Sequence, residues 1–499
     1  MTAVAVARPA GFRPARLLRL EIKHSPFLWA LPVLAALFYY DTYRTSVGLP
    51  PIWTIRATVV TGHMIDDFSV FAAGLAAWAG SREGRRKTGD LLATTVRAAW
   101  ARRATVFAAT AFWTLLAFLA GVALVYVQTA IQATWGGPPL WPVAVGVLAV
   151  VASCAIGFTG GTLFPGRFAA PLVAVAVLVL DYVGHGAANT GSTTTGTYGV
   201  LSPAQPTLAP DVGVFYHVAP DVAIAQVMFI GGVIVLMAGL LALSPVTGGG
   251  RRGLSLGGVG KRVTVAGAIL VACAVAASAT AFSLAGTAQY ASATGWAIPA
   301  LHDAASDQPV PYTPVCAKSG FPVCTHPAFA AYLPAVTAAL RPAAAEIAGL
   351  PGAPVRAEQV PSGVLPATAG TTSVFQYPQL DGLASLWASP ADVNTASWQD
   401  GLQQDFLTWF VSGPPPQTAP WVPTGAQQAL VTALMAETGA GAPQFAPPDA
   451  NGKPVGPTPA QVGTAATRFE SLSKAARHDW LATHIAQIRA GGVTLAQIP

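Results

Sequence analysis

Seven long apolar runs, near 26–43, 57–80, 104–128, 141–163, 169–184, 220–243 and 263–286, alternate with short polar segments over the first 286 residues. About 20 apolar residues are needed to cover the hydrocarbon of a bilayer, and only helices or closed barrels satisfy their backbone groups there. The pattern therefore restricts this part of the chain to a bundle of membrane helices. Pro26 and Pro32 in the first run and Pro171 in the fifth mark kinks or late starts. Composition agrees: 53% of the 499 residues are hydrophobic and 10% charged, against about 25% charged in ordinary soluble proteins. Mean hydropathy is +0.51. No cleavable leader is evident, since the first run lacks a small-residue cleavage site and further runs follow; it is read as a signal anchor.

Orientation follows from Lys and Arg in the short loops. With the N-terminus inside, the inner segments are 1–25, 81–103, 164–168 and 244–262, and they hold 17 of the 19 basic residues before position 287. Only Arg44 and Arg56 would face outward. Seven spans then put residues 287–499 outside. Charge changes at the same boundary: the part up to 286 has 19 basic and 9 acidic residues, the part after it 8 and 12. Two compartments explain that shift.

The tail is long enough for a domain of its own. Breaks such as "SGPPPQTAPW" and "FAPPDANGKPVGPTP" separate expected helices near 327–348, 395–411, 425–438 and 463–490. In the last, Phe469, Leu472, Ala476, Trp480, Ile485 and Ile488 recur at helical spacing. The expected fold class is thus all-α: a polytopic bundle of about seven spans, N-terminus in and C-terminus out, then an α-rich soluble extracytoplasmic domain. Cys316 and Cys324, in "CAKSGFPVC", are read as a disulfide in an oxidising compartment. Metal binding with His326 is the alternative, with only two thiols and one imidazole to support it. Cys154 and Cys273 lie in spans and read as small apolar fillers.

The segment "SREGRRKTGDLLATTVRAAWARR" (81–103) carries seven basic residues against Glu83 and Asp90. A nucleic-acid surface needs accessible basic groups and stacking aromatics; here the charge hugs two spans, so no nucleic-acid partner is expected. Positive-inside bias explains the charge but not Leu92, Val96 and Trp100, which share one helix face with Asp90 in the first turn and Arg97–Arg103 at the far end. The spacing predicts a short amphipathic helix on the inner surface.

These residues resemble the permease subunits of ABC transporters of the ABC-2 (type V exporter-like) class. "RLLRLEIKHSPFLW" before the first span is similar to the family's amphipathic interfacial helix, with Arg19 and Glu21 at its Arg-x-Glu element. "REGRRKTGDLLATTVRAAWARRATVFAATAFW" is similar to its coupling segment. The resemblance covers roughly residues 10–245 and implies that Gly89, Asp90, Leu91 and Leu92 dock on a separate ATPase subunit. It also implies a homodimer or heterodimer of permeases among membrane lipids. The units are then 1–25, an amphipathic segment; 26–245, a six-span core; 246–286, an inner loop and seventh span; and 287–499, the outer domain. The last two look like an elaboration of permeases from high-GC Gram-positive bacteria.

Energy must come from elsewhere. "GGVGKR" (257–262) lacks the Gly-x-x-x-x-Gly-Lys-Ser/Thr spacing of a phosphate loop, "LSLGG" (254–258) only imitates an ABC signature, and no His-Glu-x-x-His or Gly-x-Ser-x-Gly motif occurs. The chain is expected not to be an enzyme and to need no cofactor, ATP being bound by the partner. His63, Asp66 and Asp67 in "HMIDD" are the candidate translocation path: ionisable groups in spans usually face an interior or a watery cavity. Placement near the outer interface is the competing reading. Asp181 and His185 are read as interfacial. The runner-up function is a non-transporting scaffold, immunity or sensor protein whose outer domain binds a ligand; a membrane-anchored hydrolase would need a convergent nucleophile and base in that domain. The substrate is not legible.

Overall fold

Each of the seven apolar runs is helical. In chain order the first half has α1 (Pro14–Lys23), α2 (Phe27–Leu37), a π-helical turn (Phe38–Tyr43), α3 (Arg44–Gly48), α4 (Trp53–Gly80), α5 (Ala99–Gln132), α6 (Trp141–Leu163), α7 (Ala169–Thr190), α8 (Asp221–Leu243) and α9 (Gly258–Ala285). The computed structural model describes residues 14–25, 27–86, 99–190, 196–202, 213–243, 258–291, 295–318, 320–361, 373–378, 396–414, 422–443, 445 and 457–499. Among the described residues four helices are long and apolar enough to cross a membrane: Trp100–Gln132, Trp141–Leu163, Asp221–Leu243 and Val265–Ala285. A fifth joins them if Ala15–Lys23 and Phe27–Gly48, bent by 55°, form one span. With 28 residues α4 has the length but carries Arg56, His63, Asp66 and Asp67, and the apolar part of α7, Ala169–Gly184, is shorter.

The bundle is organised on α4, which packs against α5, α6 and α7. Small residues allow the closest of these approaches: a Cβ at Gly157 or Gly161 of α6 would sit well inside van der Waals contact of the Ala73 or Ala77 carbonyl oxygen. Such small-residue seams let helix backbones meet in a medium that offers no hydrophobic drive between helices. Outside this core, α8 pairs with α9 and touches α6.

The tail departs from the all-α expectation. Among the described residues it has five α-helices, α10 (Leu333–Glu346), α11 (Ala396–Ser412), α12 (Gly425–Thr438), α13 (Pro459–Glu470) and α14 (Lys474–Arg489). It also has a hairpin of β1 (Gln289–Ala291) with β2 (Gly295–Ala297), and a four-stranded sheet of β3 (Val315–Cys316), β4 (Val323–Thr325), β5 (Arg356–Val360) and β6 (Val374–Pro378). β3 runs antiparallel to β4, while β4, β5 and β6 are parallel. β1 to β4 are two or three residues long, too short to display a period of two, and in β5 the alternating buried positions are Ala357 and Gln359, which carry little apolar signal. The helix expected over 463–490 is two helices: Ser473 interrupts it by accepting the Ala476 N–H as an N-cap. Cys316 and Cys324 face each other across β3 and β4 and form the disulfide.

The tail docks on the bundle end formed by the α3–α4 turn and the segments after α5 and before α8. Its core, with Val323, Phe329, Leu340, Phe375, Phe406 and Phe469, is continuous with Ile52, Val214 and Phe215. Thr134 Oγ1 donates to the Pro327 carbonyl at 2.6 Å, and the Val310 N–H donates to the Phe215 carbonyl at 2.7 Å.

Candidate functional site

Arg82, in the short helix Arg82–Arg85 that follows α4, donates to Glu21 of α1 at 3.2 Å, while Arg19 is exposed. Arg85 stacks over Trp78 at 3.5 Å and donates to its carbonyl at 2.9 Å. Arg102 at the start of α5 lies 3.6 Å from Glu83, and Trp113 of α5 donates to the Ile22 carbonyl at 2.8 Å. The end of α1, the end of α4 and the start of α5 are thereby fastened together at the bundle end away from the tail. Gly89, Asp90, Leu91 and Leu92, which would follow this junction, lie outside the described residues.

The second constellation lies at mid-height. α4 is one unbroken helix whose Trp53 and Trp78 mark its ends, and tryptophans favour the two membrane interfaces. Asp66 is 13 positions from one and 12 from the other, about 20 Å each way at 1.5 Å per residue. That places it near the middle of α4. Opposite it, the π-helical turn after α2 carries Asp41, whose Oδ2 is 2.6 Å from His63 Nδ1. Such turns are frequent at functional sites. Asp67 Oδ2 is buried with no hydrogen-bond partner, and so is Oδ2 of Asp181 on α7. Asp66 interacts electrostatically with both. The sequence-selected His63, Asp66 and Asp67 are therefore joined by Asp41 and by Asp181, near the end of the apolar part of α7. Asp41 and Asp66 are exposed, whereas His63, Asp67 and Asp181 are partly buried, so the cluster reaches the surface of the bundle. Among the described residues no group of three metal-binding side chains has the geometry to hold a metal ion.

Arg56, read from sequence as one of two outward cations, is buried. It donates to the Val47 carbonyl at 3.0 Å, to the Leu49 carbonyl at 2.7 Å and to Gln132 Oε1 at 2.6 Å, clamping the α3–α4 turn to the end of α5. Its exception to the charge bias is thus structural.

Two histidines secure the joint between tail and bundle, and neither was legible as such. His302 bridges Asp307 at 3.0 Å and the fully buried Asp221, the first residue of α8, at 3.1 Å. The hydrogen bond to Asp307, then that to Asp221, raises the His302 pKa. His326 is wholly buried against Tyr312, Phe215 and Trp135, with ring centroids 4.2, 4.8 and 5.0 Å away. Its Nδ1 accepts the Ala328 N–H at 3.1 Å, and burial pushes its pKa down to about 4. The signs oppose. The contribution of His302 is complete below the unfolded value of about 6.5 and is lost as pH rises through its raised native pKa. That of His326 is complete above about 6.5 and falls away toward pH 4, by about 3 kcal/mol at 1.36 kcal/mol per unit. The detergent-solubilised chain should therefore resist thermal unfolding best near neutrality. His302→Gln should flatten the alkaline side and His326→Phe the acid side; a profile unchanged by either substitution would contradict these assignments.

Comparison of the chain with family models, with characterised proteins and with solved structures gave no match.

Proposed function

We propose that the chain is the membrane-spanning permease subunit of an ATP-driven exporter, coupling a separate ATPase to movement of substrate across the plasma membrane. The observation that carries this reading is the mid-height cluster of Asp41, His63, Asp66, Asp67 and Asp181. Retaining such a group on helices otherwise suited to lipid is costly, and a pathway through the bundle accounts for it. In this reading α2–α3, α4 and α7 cross with the four apolar helices, because their ionisable groups face one another. The segment 87–98 follows the junction fastened by Glu21–Arg82 and receives the push of the ATPase. The tail lies on the other side, outside the cell. Its attachment to the end opposite the basic junction supports that sidedness.

Two experiments test the proposal. Full-length chain purified from its own membrane should bring down an ATPase bearing a phosphate loop and an ABC signature, and the reconstituted pair should hydrolyse ATP; purification without any ATPase would count against a permease. For sidedness, a reporter cysteine at Ser192 or Thr458 should react with an impermeant thiol reagent on intact cells, and one at Ser255 should not. Labelling of Ser255 from outside would overturn the seven-span arrangement.

A further inference from the structure

His326 belongs to the tail, yet two of the rings that enclose it belong to the bundle. Trp135 follows α5 and Phe215 precedes α8, with ring centroids 5.0 and 4.8 Å away, while Tyr312 of the tail stands at 4.2 Å. Nδ1 accepts the Ala328 N–H and so carries no hydrogen; the neutral ring has its one hydrogen on Nε2, which is buried and meets no acceptor. By accepting that N–H, His326 caps the 3₁₀ turn Pro327–Tyr332. The turn reaches the bundle twice. Its Pro327 carbonyl takes the Thr134 hydroxyl, and its Phe329 is buried in the core that the tail shares with Ile52, Val214 and Phe215.

A second proton on this ring has to go to Nδ1. It turns the acceptor of the cap into a donor aimed at another donor, and it puts a charge where no water reaches. The 133–140 segment beside the ring has no ionisable side chain. The segment before α8 brings Tyr216 and the exposed His217, and the tail brings Tyr312 and Tyr332. On β5, whose Gln359 accepts the His326 backbone N–H, Glu358 is engaged by Arg356 at 2.9 Å. Arg56, beside Tyr332, is itself a cation. The one carboxylate among these groups already has a cationic partner.

We propose that His326 is an acid-operated latch: its protonation uncaps the Pro327–Tyr332 turn and parts the tail from the bundle along this seam. The interior of the tail stays closed, because among the described residues the rings against His326 come from none of the helices α11–α14, which pack on one another. The latch requires neither the transport reading nor a particular sidedness.

Thiol reactivity of the full-length chain in detergent tests it. The exposed Cys273 is first replaced by Ala. Ala328→Cys, at a position 5% exposed, then reports on the seam, and Ala433→Cys, fully buried on α12, reports on the interior of the tail. Dithiodipyridine is the probe, since it reacts with thiols in acid, and glutathione corrects for its own pH dependence. With a native pKa of about 4 against an ordinary value of about 6.5, opening is favoured about a hundredfold more at pH 4 than at pH 7. Ala328→Cys should react faster by that factor, and Ala433→Cys should stay protected. In His326→Phe the acid response at Ala328→Cys should vanish; His326→Leu is the second variant if the larger ring does not fit. Equal protection of Ala328→Cys at both pH values, an acid response that survives both His326 variants, or simultaneous exposure of Ala433→Cys would overturn the latch.

Discussion

Gly157→Ala combined with Gly161→Ala should lower the stability of the bundle by about 2–6 kcal/mol, 1–3 for each methyl group forced into a filled space. The added carbons would meet the Ala73 and Ala77 backbones, which cannot rotate away as a side chain can. α6 would have to withdraw from α4, loosening Cys154 and Phe158 from Ala72 and Ala76 in the cluster they share. Two controls isolate the cause. At Gly160 the new Cβ would meet only the Val173 side chain, 2.9 Å away, and at Gly231 it would meet nothing within 4 Å. Gly160→Ala should therefore be mild and Gly231→Ala should cost nothing. Thermal unfolding in detergent reads the series; a double variant as stable as the parent would mean the two helices do not meet along this seam.

Leu91→Asp with Leu92→Asp should leave membrane insertion intact and abolish recovery of the ATPase. If the segment is a coupling helix, the two leucines fill an apolar groove on the partner, a burial worth roughly 3–6 kcal/mol at 1.5–3 per side chain. Carboxylates in their place would add desolvation cost. That sum exceeds 4 kcal/mol, a thousandfold in affinity, so the loss should be near complete. Arg86→Gln is the matched control: its side chain is exposed, and single exposed charges contribute little. Normal recovery of the ATPase by the leucine variant would reduce the 81–103 segment to a topogenic loop.

Much of the bundle could be read directly, because apolar runs need no partner to declare themselves. All seven became helices, and 141–163 has the same limits in sequence and structure. Groups whose meaning depends on a distant neighbour could not be read. Asp41, at the end of the first apolar run, is not singled out by its sequence, and only the π-helical turn that carries it to His63 shows its place. Arg56 counted as an outward charge until three backbone and side-chain oxygens claimed it. His302 and Asp221 are 81 positions apart, and nothing local to either suggests the other. The short parallel strands failed for a related reason: their pairing is long-range and their own pattern too brief. The disulfide was legible because both partners lie within nine residues of sequence.

The shared core of tail and bundle has a consequence for the order of events during synthesis. Ile52, Val214 and Phe215 leave the ribosome long before Phe406 and Phe469, yet all belong to one apolar cluster. The tail closes around side chains supplied by segments made much earlier, and contacts so distant in sequence form slowly. Insertion must therefore precede completion of the last domain, and the bundle serves as its folding template. A fragment beginning at residue 287 would lack that template. It would leave His326 and its aromatic neighbours open to water.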